Sequence, residues 1–392
     1  MQPRRNASPL SRYNGFMSNE KPTSRRDFLR GKSAGRALLD AARVLVDRTV
    51  DALPGGPVTE AAQTFPRRPS STEPRLYTSR RAMACEFAIE HHAADGPEAS
   101  EAVIEALDLI VQIEDQLSIY REHTEVSAIN RMAAERALEV EPRLFTLLEL
   151  CGWLYGSTGG AYDITSGPLS RGWGFLKREG RLPSHGEIAV AMALVGFDKV
   201  ELDATGRTIR FLQPGVEINF NSVGKGYALD CVAELLAERG VNDYLCHGGR
   251  SSVLARGRDR SDRDRGWAIA IPHPLVPERQ LGEIILNDAA LGTSGSGTQF
   301  FEHEGRRYGH LLDPRTGWPV EGIYTATAVA ATAAEADALA TAFYIMGPGD
   351  TAEYCAQHGD VAAVLVCPGV GRDAVDVHAL NLADGRWIPN GL

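Results

Sequence analysis

Asp337 and Thr341 stand four residues apart in the run Glu335-Ala-Asp-Ala-Leu-Ala-Thr-Ala-Phe-Tyr-Ile-Met-Gly347. On a helix they share one face. A carboxylate beside a hydroxyl offers hard oxygen donors to a cation such as Mg2+; the local alternative is a Thr341 hydroxyl that bonds back to the Asp337 carbonyl. Upstream lies His310, three residues before the turn Asp313-Pro-Arg-Thr-Gly317. A neutral imidazole suits a general base near neutral pH, and the competing role is a structural histidine orienting that turn. A third group is Ser222-Val-Gly-Lys-Gly226 between an apolar-polar alternation and an apolar-rich segment. Strand, glycine loop and helix form an anion-holding layout, because loop amides and a helix N-terminus face the ligand. Lys225 either pairs with a phosphate there or is an exposed loop lysine. The loop is not a Walker A motif, since Asn219 and Gly226 stand where Gly and Ser or Thr are required, and Leu229 occupies the third glycine of a dinucleotide fingerprint.

The elements that must carry these groups can be read from periodicity. Thr332 and Glu335 have capping-box spacing and Gly347-Pro348 is a stop signal, so the Asp337 helix is bounded at both ends. Val103, Leu107, Ile110, Ile113 and Leu117 step at helical spacing, which predicts an amphipathic helix over 100–117. A second helix carries Leu144, Leu147, Leu148, Cys151 and Leu154 and ends at Gly159-Gly160. Strands are predicted over Met83–Glu90, Val216–Asn221, Ile284–Leu291 and Val361–Val366, with Leu291–Thr298 offering loop amides to an anion. The elements alternate irregularly, without successive strand-helix-strand units, and the expected class is α+β. Arg256–Gly266 alternates Arg and Asp and reads as a solvated loop.

A chain of 392 residues with 43% hydrophobic content has enough apolar material for one large domain. The net charge of -10 argues against a nucleic-acid-binding face. No two of the six cysteines form a Cys-x-x-Cys pair, which leaves zinc and thioredoxin-type chemistry unsupported. Residues 1–75 read as a leader and linker, and 76–390 as the folded domain. Ser24-Arg-Arg-Asp-Phe-Leu-Arg30 resembles a twin-arginine signal, but Lys32, Arg36, Asp40, Arg43 and Asp47 break the apolar stretch such a signal needs. Leu38, Ala42, Leu45 and Val46 fit a helix over about 33–50 instead. That reading favours a retained leader and a cytoplasmic chain over export. No run is long enough to span a bilayer.

His310-Leu-Leu-Asp-Pro-Arg-Thr-Gly317 and Ala336-Asp-Ala-Leu-Ala-Thr-Ala342 resemble the ApbE family of FAD:protein FMN transferases, and five further blocks follow the family's order. The resemblance runs from about Leu76 to Pro389. It implies an ApbE-like fold, a single large mixed α/β domain after the leader, and flavin contacts by Met83, Tyr120, Ala161, Tyr162, Asp163, Asn219, Lys225 and Leu312. It adds Ser222 to Asp337 and Thr341 as a metal position and gives His310 the role of base. The implied reaction moves FMN from FAD to a Ser or Thr hydroxyl of a partner protein, a membrane redox subunit, with Mg2+ and release of AMP. Two rival readings are an FAD pyrophosphatase and a non-catalytic FAD-binding protein. Three departures stand out: Ala84 and Cys85 replace Gly and Thr after Met83, Asn219 replaces Asp, and Arg250 stands where the family has Asp or Asn.

Overall fold

A computed structural model describes residues 74–177, 179–260, 266–295, 299–383 and 385–390. By its contacts the chain divides into Met1–Thr59 and Glu60–Leu392, and every described residue lies in the second unit. The signal-like stretch and the helix expected over 33–50 fall outside the described residues.

The elements run β1 (Arg75–Ala82), β2 (Cys85–His92), α1 (Gly96–Leu117), α2 (Glu125–Met132), β3 (Leu138–Glu139), α3 (Pro142–Ser157), α4 (Gly167–Gly172) and α5 (His185–Met192). Then follow β4 (Val200–Asp203), β5 (Thr208–Phe211), α6 (Gly224–Glu238), β6 (Tyr244–Gly248), β7 (Ser252–Arg256), β8 (Trp267–Pro272), β9 (Gln280–Leu286) and β10 (Ala289–Gly295). The chain closes with β11 (Phe300–His303), β12 (Arg306–Gly309), β13 (Thr325–Ala330), α7 (Ala333–Gln357), β14 (Ala362–Pro368), β15 (Val375–Leu380) and β16 (Trp387–Pro389). This is a mixed α+β architecture.

An antiparallel sheet of eight strands, in the order β1-β2-β6-β7-β10-β13-β14-β15, forms its centre. Alternate residues of its strands point to opposite faces, and both faces are covered. Phe87, Ile89, Cys246, Leu254, Ala290, Ala326, Ala328 and Leu365 join a core with α1, α3, α6 and α7. Leu245, Val253, Leu291, Val329 and Val364 join a second core with the small sheet β16-β9-β8. Two buried faces explain why the central strands read as near-continuous apolar runs.

The amphipathic helix expected over 100–117 is α1, and its apolar positions are buried as a stripe. The capped helix is α7: Thr332 Oγ1 accepts the Glu335 amide. Gly347 (φ 79°) does end its first segment, and Pro348 begins a second that continues to Gln357. The alanines of α7 let it lie very close to its neighbours. A Cβ on Gly226 of α6 would stand 2.1 Å from the Ala333 carbonyl oxygen, and one on Gly292 of β10 would stand 2.4 Å from that of Ala336.

Three strand expectations are corrected. Met83 lies in the turn between β1 and β2, with Met83 at φ 49° and Ala84 at φ 60°. The turn escapes notice because both residues adopt the left-handed region without being glycine, asparagine or aspartate. Ile284–Leu291 spans two strands, β9 and β10, parted by a turn in which Asp288 has φ 44°. Val216–Asn221 keeps the predicted alternation of burial but joins no sheet. Its partner is a side chain: the Asn130 carboxamide donates to the Ile218 carbonyl at 2.9 Å and accepts the Ile218 amide at 2.8 Å. A side-chain amide here satisfies what a neighbouring strand would have satisfied. Likewise Leu291–Gly295 belongs to β10, so most of its amides serve the sheet rather than an anion.

Candidate active site

The first turns of α6 and α7 meet. Asp337 is 7% exposed, and its Oδ2 accepts the Gly226 amide of α6 and the Ser252 hydroxyl of β7, each at 2.8 Å. Among the described residues both bonds fall on that one oxygen. Burial pushes the Asp337 carboxyl up to about 6, opposed by the Lys225 ammonium and by the Ser252 and Gly226 donors. Lys225 itself hydrogen-bonds the Ser251 hydroxyl. Thr341, one turn along α7, donates to the Asp337 carbonyl at 3.4 Å and shares a hydrogen bond of 3.1 Å with Ser294 of β10. The local back-bond anticipated for Thr341 is therefore present, as one of two bonds.

Ser222 joins this group through Tyr162. The Tyr162 phenol hydrogen-bonds Ser222 and lies within electrostatic reach of Asp337. It also stands 3.7 Å from the Cys151 sulfur, and burial raises it well above its ordinary range. Ala161 and Tyr162 are 0% and 1% exposed, so protein encloses both residues, backbone included. Asp163 is 7% exposed. Its Oδ1 accepts the Thr165 amide at 2.8 Å and hydroxyl at 2.7 Å, and its Oδ2 is buried without a partner among the described residues. Burial pushes this carboxyl to about 6 against the two Thr165 donors. Asn219 borders the same loop: its amide donates to the Ile164 carbonyl at 2.8 Å, and its side chain caps the Asn221 amide at 2.8 Å.

His310 directly follows β12 and sits beside a different cluster. Leu169, Trp173, Phe175, Tyr308 and Leu312 form a small core there, and Phe175 meets the imidazole edge-on at 6.4 Å. His310 Nδ1 lies 3.0 Å from the Gln299 carbonyl oxygen. That acceptor assigns the proton to Nδ1 and leaves the Nε2 lone pair open. Burial holds the imidazole below its ordinary value, opposed by the Gln299 bond, so it is neutral at pH 7. The following turn matches its sequence signature: Asp313 accepts the Arg315 amide, and the Gly317 amide (φ 78°) returns to the Asp313 carbonyl at 2.8 Å. Trp173 Nε1 fixes the turn by donating to the Gly317 carbonyl at 2.9 Å. Leu312 is buried in the same cluster.

Thus Lys225, Asp337, Thr341, Ser222 and Tyr162 form one connected group, while Asn219 and Asp163 form a neighbouring loop pair. Among the described residues the side chains of Met83 and Tyr120 make no hydrogen bond to either group, but the end of α1 that leads to Tyr120 comes close to the α6 start: a Cβ on Gly224 would stand 3.3 Å from Leu117. Met83 is half-buried in the β1–β2 turn, and Tyr120 is 69% exposed after α1. Arg250 occupies the β6–β7 turn at φ 59° after Gly249 at φ 59°. The Asp or Asn of the resemblance suits that left-handed position better than arginine does.

Sequence reasoning missed Asp230, Ser251 and Ser252. Asp230, one turn into α6, accepts the Ala333 amide on Oδ1 and the Ala334 amide on Oδ2, each at 2.8 Å. A charged residue inside an apolar-rich helix was the available signal. Among the described residues no group of three His, Cys, Asp or Glu side chains converges on a metal position. No helix among them is long and apolar enough to cross a membrane.

The pattern of the ApbE family matches residues 83–365. The FAD:protein FMN transferase of Vibrio cholerae is 30% identical over 279 residues, covering 70% of this chain and 82% of that protein. That of Klebsiella pneumoniae is 31% identical over 284 residues, covering 69% and 80%. The apo crystal structure of the Pseudomonas stutzeri flavinyl transferase ApbE superposes with a TM-score of 0.69 at 28% identity, covering 79% of this chain and 95% of that one. With its fold, its ordered motifs and most of its length shared with these proteins, the chain belongs to the ApbE family.

Proposed function

We propose that this protein transfers FMN from FAD to a Ser or Thr hydroxyl of a partner protein, releasing AMP. The carrying observation is the meeting of the α6 N-terminus, Lys225 and the Asp337–Thr341 pair around one loop. Two of these are positive and one is a carboxylate, a combination that suits a pyrophosphate together with a cation.

The donors fit Mg2+. Asp337, the Thr341 hydroxyl and Ser222 are hard oxygens, and Asp337 keeps Oδ1 clear of the two bonds on Oδ2. A site with one carboxylate also suits an ion that keeps several waters and takes ligands from substrate phosphates. When bound, Mg2+ neutralises charge on the pyrophosphate and on the leaving AMP. Lys225 supplies a further positive charge beside the same phosphates. In this reading Ala161, Tyr162, Asp163 and Asn219 border the flavin side, with Met83, Tyr120 and Leu312 as further contacts. In the transfer, the acceptor oxygen bonds to the FMN-side phosphorus as the bond to AMP breaks, and AMP leaves with the bonding pair. The hydroxyl proton passes to Nε2 of His310, which is neutral and already oriented by Gln299.

The acceptor is a membrane-associated redox subunit in this reading. The test incubates enzyme, FAD and Mg2+ with such an acceptor carrying the target hydroxyl. Flavin fluorescence should stay on the acceptor through a denaturing gel, with equimolar AMP. AMP and free FMN without a labelled acceptor would overturn transfer in favour of hydrolysis, and tight FAD binding without AMP would leave only a binding protein. His310→Ala should slow labelling roughly 10²–10⁴-fold with FAD affinity little changed.

A further inference from the structure

Gly226 and Asp230 are four residues apart on α6, and Ala333 and Asp337 are four apart on α7, so each pair shares a helix face. The two faces are hooked together at both ends. Asp337 of α7 caps the Gly226 amide of α6, and Asp230 of α6 caps the Ala333 and Ala334 amides of α7. Thr332 takes the Glu335 amide, so the first three amides of α7 are all satisfied. For α6 no residue of its own caps the first turn by side chain. Two helix N-termini, each carrying a partial positive charge of about half a unit, are thereby held side by side. Each is offset by a carboxylate that the other helix supplies.

We infer that Asp230 is a positioning residue for the transfer site: by clamping the first turn of α7 onto α6 it sets where the Asp337 carboxylate stands. Asp230 is 4% exposed, and the hydrogen bonds of its carboxylate among the described residues go to two α7 amides, so it acts through α7 and not on substrate. The close fit at Gly226 gives the clamp its leverage. With the Ala333 carbonyl seated against Gly226, a shift of the α7 N-terminus carries Asp337 away from the Gly226 amide and from Lys225. The inference rests on the FMN-transfer reading only for what Asp337 does once positioned.

The test is amide hydrogen exchange in Asp230→Asn. The variant keeps the side-chain volume but offers one acceptor where two are used. Exchange at the Gly226 amide, to which the Asp230 side chain makes no bond, should rise at least about tenfold, because the Asp337 cap is displaced. A control of similar lowered Tm, Asn381→Ala, loosens the far end of α7, where Asn381 holds the Cys355, His358 and Val361 carbonyls. It should leave Gly226 within twofold. A rise at Ala333 and Ala334 with Gly226 unchanged would overturn the inference and leave Asp230 as a plain cap. Should Asp230→Asn not fold, Asp230→Ser, with one acceptor and less volume, is read the same way.

A second readout separates this inference from the functional reading. Mn2+ binding in the presence of FAD, followed by electron paramagnetic resonance, should weaken about 10–100-fold in Asp230→Asn, as for other outer residues that orient a metal ligand. A wild-type protein that binds no Mn2+ would sink the metal reading while the exchange result still decides Asp230. Normal Mn2+ affinity in Asp230→Asn would sink the positioning role itself.

Discussion

At its C-terminal end α6 runs out into a polar cleft of about 270 Å³, lined by Asp95, Glu98, Arg239, Asn242, Asp243 and Arg260 among others. At its N-terminal end it carries Lys225 and faces Asp337 and Ser251. Both ends bring carboxylates and cations together, but they dispose of charge differently. In the cleft Arg260 pairs with Asp95 and with Asp243, each at 2.8 Å. Although burial pushes Asp243 up, the Arg258 amide and the Arg260 guanidinium hold it below its ordinary value. At the other end Asp337 is bonded by neutral donors, Lys225 bonds a hydroxyl, and burial leaves the Asp337 carboxyl raised to about 6. In the cleft one guanidinium already serves two carboxylates, though the second oxygen of Asp95 is buried without a hydrogen bond among the described residues. The N-terminal end keeps its charges available for a ligand.

The largest expected effect tests the packing half of this contrast. Gly226→Ala would put a methyl 2.1 Å from the Ala333 carbonyl oxygen and 2.7 Å from the Ala334 amide nitrogen, both backbone atoms that cannot rotate aside. Forcing the helices apart should cost roughly 1–3 kcal/mol or more and abolish transfer. Gly240→Ala at the other end meets nothing within 4 Å, and its φ of 75° is the only strain, so its cost is about 1–2 kcal/mol with transfer kept. Comparable activity in the two alanine variants would break the comparison.

Asp337→Asn comes next. The amide oxygen still accepts from Gly226 and Ser252, so the fold should survive, while the charge facing Lys225 is lost. Turnover should fall about 10²–10³-fold, with FAD affinity far less affected. Wild-type turnover at limiting Mg2+ would show that Asp337 holds no metal.

A third expectation concerns pH. Burial pushes Asp230 up to about 7, opposed by the Ala333 and Ala334 amides and Arg256 and reinforced by Glu234. Its folded value lies above the unfolded one near 4. The native state therefore binds more protons between these limits, and stability falls as pH rises from about 4 to 7. Asp243 works in the opposite sense: its depressed value supplies stability at neutral pH that is lost on acidification. Urea unfolding of wild type and Asp230→Asn across pH 4.5–7.5 isolates the first group. The two slopes should differ by up to about 1.4 kcal/mol per pH unit, and parallel slopes would show that Asp230 is not shifted.

What the sequence discloses and what it hides follow the same division. The α7 helix, its Gly347 break, and the Asp337, Thr341 and His310 candidates are local: caps, spacing and a turn signature lie within a few residues of each group. Asp230 is not local, since its partners lie 103 and 104 residues away, and nothing near it marks a cap for another helix. Asn130 escapes for the same reason, standing in for a strand 88 residues away. The β1–β2 turn escapes for a different one: Met83 and Ala84 take φ values that sequence reading reserves for glycine. Ala84 stands where the family resemblance has glycine, so the departure erased the signal.

The smallest expected effect on activity is the one that completes the comparison. Arg260→Gln removes the guanidinium shared by Asp95 and Asp243, whose side chains are 18% and 25% exposed. Two partly buried carboxylates then face each other without a cation, and the loss should be on the order of 1–3 kcal/mol. Their partial exposure lets water take over some of the pairing, which keeps the figure below that of a fully buried pair. Because the cleft and the site lie at opposite ends of α6 and of β6, transfer assayed well below the variant's Tm should stay within about twofold of wild type. A larger loss of turnover at unchanged Tm would mean that the cleft communicates with the N-terminal end, and the two ends of α6 would have to be treated as one device.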